Sequence, residues 1–167
     1  ERILDLLIAR SRVASPENGH KGPIRGQVEF RDLSFAYPDF SLKNESHGRT
    51  VRQTPALDHI SFVAQPGQTI GIIGLTGSGK STLIQLMSRF YDPTGGQILV
   101  DGIDLRKYDL DTLRRSIGLV SQDVFLFSDT AEGNIAFGNP EMPFDDVVHA
   151  ARVAEADAFI RKMPDGY

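Results

Sequence analysis

Gly74-Leu75-Thr76-Gly77-Ser78-Gly79-Lys80-Ser81 is the stretch on which the reading of this chain turns. It satisfies G-x-x-x-x-G-K-[ST], a spacing with a physical purpose. Glycines let the backbone turn sharply and bring successive amide N–H groups around an anion. A helix starting near Lys80 adds its positive N-terminal end. Lys80 can then reach the β- and γ-phosphates of a nucleotide, and the Ser81 hydroxyl can ligate Mg²⁺. At average residue usage, a chance match somewhere in a chain of this size is roughly a 1% event. The competing reading is a glycine turn that happens to display a lysine. The flanks oppose it: Ile70, Ile72 and Ile73 predict a buried strand over Thr69–Ile73, and Leu83, Leu86, Met87 and Phe90 predict a helix of about three turns.

Outward from the loop, alternation of Val28, Phe30, Leu33 and Phe35 with polar residues predicts a strand, with a bulge at Asp32 and an end at Tyr37-Pro38. Residues 39–55 are polar and are expected to form a mobile surface loop. A second strand is expected over Leu57–Ala64, closed by Pro66-Gly67. Beyond the glycine loop, Asp92-Pro93-Thr94-Gly95-Gly96 breaks the helix, Gln97–Val100 is a short strand and Asp101-Gly102 a tight turn. A short helix around Leu110, Leu113 and Arg114 leads to a strand Ile117–Val120. Helical segments follow at Thr130–Ala136, around Val147–Ala154 and at Phe159-Ile160. At the other end, Ile3, Leu4, Leu7 and Ile8 have helical spacing, and Ser15 through Pro23 reads as a linker rich in turn formers.

Composition narrows the function classes. The 167 residues carry 18 Lys+Arg against 22 Asp+Glu, a formal charge of −4, so no global basic field recruits nucleic acid. Hydrophobic residues at 40% describe an ordinary globular chain. With no cysteine, disulfide frameworks, thiolate catalysis and Cys-ligated zinc are excluded. The four histidines show no metal-ligand spacing. Charges interrupt every apolar run well short of the ~20 residues a membrane span needs. The absence of an initiator Met suggests that residue 1 is not a natural start.

The chain resembles the nucleotide-binding domain of an ATP-binding cassette (ABC) transporter, of the exporter type in which membrane and ATPase domains share one polypeptide. The resemblance is carried by Val28-Glu29-Phe30 through Tyr37-Pro38, by Leu57–Phe62 with Pro66-Gly67-Gln68-Thr69, by the glycine loop, by Asp92–Ile98 with Asp101-Gly102-Ile103-Asp104, by Ile117-Gly118-Leu119-Val120-Ser121-Gln122-Asp123 (the Q-loop) and by Glu132-Gly133-Asn134-Ile135. It implies an α/β fold: a P-loop NTPase core of ABC ATPase type with an N-terminal antiparallel β-subdomain and the start of an α-helical subdomain, its C-terminal part missing. Residues 1–26 would be the end of a linker helix and a linker from a transmembrane domain. Residues 27–122 would hold the β-subdomain and P-loop core, and 122–167 the Q-loop and helical subdomain.

The same resemblance implies site roles. Gly74, Leu75, Thr76, Gly77, Ser78, Gly79, Lys80, Ser81 and Thr82 would bind the phosphates of ATP, with Thr82 giving a hydroxyl and a backbone N–H near the α- or β-phosphate. Tyr37 would stack on adenine, a contact worth about 1–3 kcal/mol for a base on an aromatic face. Lys80 and Gln122 would serve catalysis, and Ser81 and Gln122 would be the Mg²⁺ ligands. Partners would be a second nucleotide-binding domain and the coupling helices of a transmembrane domain, on the cytoplasmic face of a membrane, with no nucleic acid. The Phe125-Leu126-Phe127 cluster is either core or part of that coupling surface. Asp101 and Asp104 read as hairpin residues, and Arg114-Arg115 as a solvated helix face.

The family's signature motif, its Walker B carboxylates and its late switch histidine do not occur in these residues, so the chain alone is expected to bind nucleotide weakly and not to hydrolyse it. Without those strands, the sheet around the phosphate-loop strand is expected to carry unpaired edges. Three alternatives stand beside the exporter: a soluble ABC-type ATPase or importer subunit without a fused membrane domain, a degenerate non-hydrolysing domain, and a metabolic P-loop kinase or GTPase. The last leaves the Tyr37 and Gln122 contexts unexplained.

Overall fold

A computed structural model describes residues 11, 13–38, 54–123 and 125–167. The helix expected at the N-terminus and nearly all of the polar loop expected over 39–55 lie outside the described residues. The chain divides into two units, Glu1–Gly118 and Leu119–Tyr167.

The first unit is built on a four-stranded antiparallel sheet of order β2-β1-β3-β4, with β1 Val28–Phe35, β2 Leu57–Ala64, β3 Gly95–Val100 and β4 Ile103–Asp104. Strict alternation along β1 would turn Leu33 away from Phe30. Instead Asp32 adopts φ 51° and the pairing with β2 slips between Phe30 and Leu33, so Phe30, Leu33 and Phe35 all reach the core. This is the bulge that the sequence pattern predicts, since an extra residue re-aims the side chains beyond it. On β2, His59 is also left-handed, φ 50°, and its Nδ1 lies 2.6 Å from Asp32 Oδ1.

Against the sheet pack α1 (Lys80–Met87) and α2 (Leu110–Arg115), which contribute Leu83, Leu86 and Leu113 to a core shared with Phe30, Leu33, Phe35, Leu57 and Ile98. Tyr108 is fully buried, and its hydroxyl donates to the Val100 carbonyl at 2.9 Å. Asp109 caps α2, accepting from the Thr112 N–H at 3.0 Å. That charge-favouring bond, with others from the Thr112 and Ser15 hydroxyls, holds its carboxyl below the usual carboxylate range.

Several expectations need correction. Thr69–Ile73 is not a strand, and Ile73 is 98% exposed. Ile117–Val120 is likewise irregular, with Val120 equally open. A strand exists only through its hydrogen-bonded neighbour, and among the described residues neither segment has one. Arg114 is not simply solvated: its guanidinium donates to the Ser88 and Arg89 carbonyls, at 3.2 and 3.0 Å, and closes the C-terminal end of α1. Residues 15–23 are also more firmly held than a linker implies. Ser15 Oγ accepts from the Leu110 N–H and donates to Asp109, while His20 exchanges backbone bonds with Lys107 and Asp109.

The second unit is helical, as expected: α3 Ala131–Ile135, α4 Phe144–Val153 and α5 Asp157–Ile160. Thr130 caps α3 by accepting from the Gly133 N–H at 2.9 Å. Val147, Val148, Ala151 and Ile160 are buried. Tyr167 Oη donates to Asp157 at 2.7 Å, and Arg161 pairs with the same carboxylate.

Candidate polyphosphate site

The glycine loop leads directly into α1, and the backbone shows why glycine is required. Gly79 is the N-cap, at φ 90°, and Gly77 has φ 81°. Both values lie where L side chains are disfavoured by roughly 1–2 kcal/mol. At Gly79 a Cβ would also stand 2.5 Å from the Ala56 carbonyl oxygen, whereas at Gly77 it would meet nothing within 4 Å. Gly77 therefore supplies conformation, and Gly79 also lets the helix start against the beginning of β2.

Lys80, the first residue of α1, curls back over the loop. Its Nζ donates to the Gly74 carbonyl at 2.8 Å and to the Leu75 carbonyl at 2.7 Å, with Ser78 Oγ at 3.4 Å. These partners are neutral. A phosphate oxygen offers a charge-assisted bond of roughly twice the strength, so the ammonium is placed to exchange carbonyls for an anion. The first N–H groups of a helix lack intrahelical partners, and those of Ser81 and Thr82 lie in that first turn. Ser81 is exposed. Its hydroxyl is a hard oxygen of the kind Mg²⁺ takes alongside phosphate oxygens and waters. Among the described residues no group of three or more His, Cys, Asp or Glu could hold a metal ion.

Thr82 is placed differently from the expectation. It is 5% exposed, and its hydroxyl lies 3.0 Å from Tyr37 Oη. Tyr37 itself is 41% exposed. Its hydroxyl donates to Gln85 Oε1 at 2.8 Å, and its ring meets those of Phe35 and Tyr91 edge-on, with centroids 4.9 and 5.4 Å apart. The structure thus brings Tyr37, Gly74–Ser81 and Thr82 together within the first unit. Gln122 sits on an exposed bend of the second unit, beside a Ser121 hydroxyl bonded to the Asp123 carbonyl.

Sequence reasoning missed Gln85 and Tyr91. Gln85 was legible in principle, because a residue three positions after Thr82 shares its face of the helix. Tyr91 had no local signal, since its contact with Tyr37 spans the fold. In the second unit, Phe125 and Leu126 are strongly exposed, Phe127 stacks on Phe137 at 4.1 Å, and Phe137 is also open to solvent.

A glycine loop that caps a helix with a lysine curled over it defines a polyphosphate-binding protein. Residues 57–166 match the family described as ABC transporter. The chain belongs to that family, and its fold is the ABC ATPase core with the antiparallel β-subdomain. It is 43% identical, over its whole length, to the "Uncharacterized ABC transporter ATP-binding protein YknU" of Bacillus subtilis, of which it covers 27%. It is 39% identical over its whole length to a "Fatty acid ABC transporter ATP-binding/permease protein" of Mycobacterium bovis, covering 24% of it. A solved structure described as a bacterial Atm1-family ABC exporter with ATP bound superposes with a TM-score of 0.83 at 34% identity, over 99% of this chain and 27% of that one. The chain thus spans about a quarter of the length of these relatives.

Proposed function

We propose that this chain is the ATP-gripping part of an ABC exporter, in which binding and hydrolysis of Mg-ATP are coupled to transport across a membrane. The observation that carries the reading is Lys80 at the first position of α1, its ammonium spanning the mouth of the Gly74–Gly79 loop. In this reading the backbone N–H groups of Gly74–Thr82 and Lys80 hold the polyphosphate, and Tyr37 carries the adenine. Ser81 would hold Mg²⁺, which supplies charge neutralisation at the phosphates when bound. Thr82 contributes through its N–H, because its hydroxyl serves Tyr37.

Relatives described as ATP-binding/permease proteins support a membrane-bound whole; in this reading residues 1–26 would join a transmembrane domain to the ATPase domain, with this face toward the cytoplasm. The exposed Phe125, Leu126 and Phe137 are an apolar surface suited to that domain's coupling helices, and a second nucleotide-binding domain would complete the site. Among the described residues no helix is long and apolar enough to cross a membrane.

The test is Mg-ATP binding and hydrolysis by the whole polypeptide carrying this chain, with Lys80→Ala beside it. Loss of most hydrolysis and weakened nucleotide binding are expected; unchanged affinity and turnover would sink the reading.

A further inference from the structure

We propose that Gln85 is a positioning residue for the base platform, fixing Tyr37 through a directed chain of hydroxyl protons that begins in the phosphate-binding helix. The proposal rests on the reading of Tyr37 as the nucleobase contact.

A phenol has one hydrogen. Tyr37 spends it on Gln85 Oε1, 2.8 Å away. The contact between Tyr37 Oη and Thr82 Oγ1, at 3.0 Å, must then be donated by Thr82. The direction is therefore fixed: Thr82 donates to Tyr37, and Tyr37 donates to Gln85. Hydrogen bonds in such a chain polarise one another, so the terminal acceptor influences the first donor.

Two consequences follow. The hydroxyl proton of Thr82, a residue 5% exposed in the first turn of α1, points toward Tyr37 Oη and is withheld from an anion at the loop. The ring of Tyr37, 41% exposed and wedged between Phe35 and Tyr91, is also anchored at its far end by two bonds to one helix. A stacking surface tethered in this way loses little rotational freedom when a base arrives. Gln85 thereby ties the orientation of the base-binding ring to the helix whose N-terminus holds the phosphates.

The experiment measures the affinity of the whole polypeptide for Mg-ATP and for inorganic tripolyphosphate, and follows the ratio of the two. Gln85→Met keeps the length of the side chain and removes the acceptor; the ratio should fall about five-fold, the effect of one ordinary hydrogen bond. Gln85→Glu keeps an acceptor and should leave the ratio within about two-fold of the parent. Tyr37→Phe keeps the aromatic face and should match Gln85→Met, and the double variant should lose no more than either alone. An unchanged ratio in Gln85→Met, equal weakening toward both ligands, or additive losses in the double variant would each overturn the proposal. Tyr37→Ala separates this from the underlying reading. If it lowers the ratio while Gln85→Met does not, only the role of Gln85 fails. If it leaves the ratio unchanged, Tyr37 is not the base contact.

Discussion

Alanine at Gly79 and alanine at Gly77 make a matched pair, because the two glycines share a left-handed backbone and differ in what surrounds them. At Gly77 the penalty is conformational only, roughly 1–2 kcal/mol. At Gly79 the same penalty applies, and the added Cβ would stand 2.5 Å from the Ala56 carbonyl and 2.8 Å from Leu57 Cδ2. An ordinary contact needs roughly 3.5 Å, so the start of α1 must move by about 1 Å. Ala56 cannot give way cheaply, because its N–H is bonded to the Phe35 carbonyl at 2.7 Å and Leu57 begins β2. Overpacking of this kind costs a further 1–3 kcal/mol or so, bringing Gly79→Ala to about 2–5 kcal/mol. Hydrogen exchange at the Leu83 amide, which bonds to the Gly79 carbonyl, reads the difference directly. It should accelerate about 30-fold or more in Gly79→Ala and about 5- to 30-fold in Gly77→Ala. Equal acceleration in the two variants would refute the assignment of separate duties to the two glycines.

Two further outcomes are expected. His59 should titrate above its ordinary value, because Asp32 accepts its Nδ1 hydrogen and adds a favourable charge, with Asp58 nearby. A raised folded-state pKa means that the pair's stabilisation is fully present below about 6.5 and is lost as pH rises through the raised value; NMR titration of Asp32→Asn should show His59 returning toward that ordinary value. Tyr108→Phe leaves the Val100 carbonyl without its 2.9 Å donor in a buried position, and should cost about 1–3 kcal/mol in urea unfolding.

What could be read from sequence was what short-range chemistry decides. β2 runs Leu57–Ala64 as expected, because alternation and the Pro66-Gly67 stop are local signals. The Asp32 bulge and the Asp101-Gly102 turn, both with left-handed residues, are local too. Thr69–Ile73 and Ile117–Val120 failed because a strand needs a partner that no window of sequence contains. The length of α1 failed for a related reason. Apolar spacing ran on to Phe90, yet the helix ends at Met87, where Arg89 turns left-handed at φ 50° and pairs with Asp92. Arg114 then takes up the carbonyls of Ser88 and Arg89. A stop made by a distant arginine leaves no mark resembling the glycine that commonly ends helices. At the site, the glycine loop was plain in the residues, whereas the commitments of Thr82 to Tyr37 and of Tyr37 to Gln85 depended on how the chain just beyond β1 meets α1.

The fastening of residues 15–27 has a mechanical consequence. Ser15 is tied to the start of α2, His20 to Lys107 and Asp109, and the N–H groups of Arg25 and Gln27 to the Asp101 carboxylate. A displacement applied to the backbone at Val13 therefore does not reach β1 through slack chain. It loads α2 first, then the segment before it, and last the turn joining β3 to β4. The segment acts as a lever with three fulcrums, and motion upstream of it is delivered to the side of the sheet that carries β3 and β4.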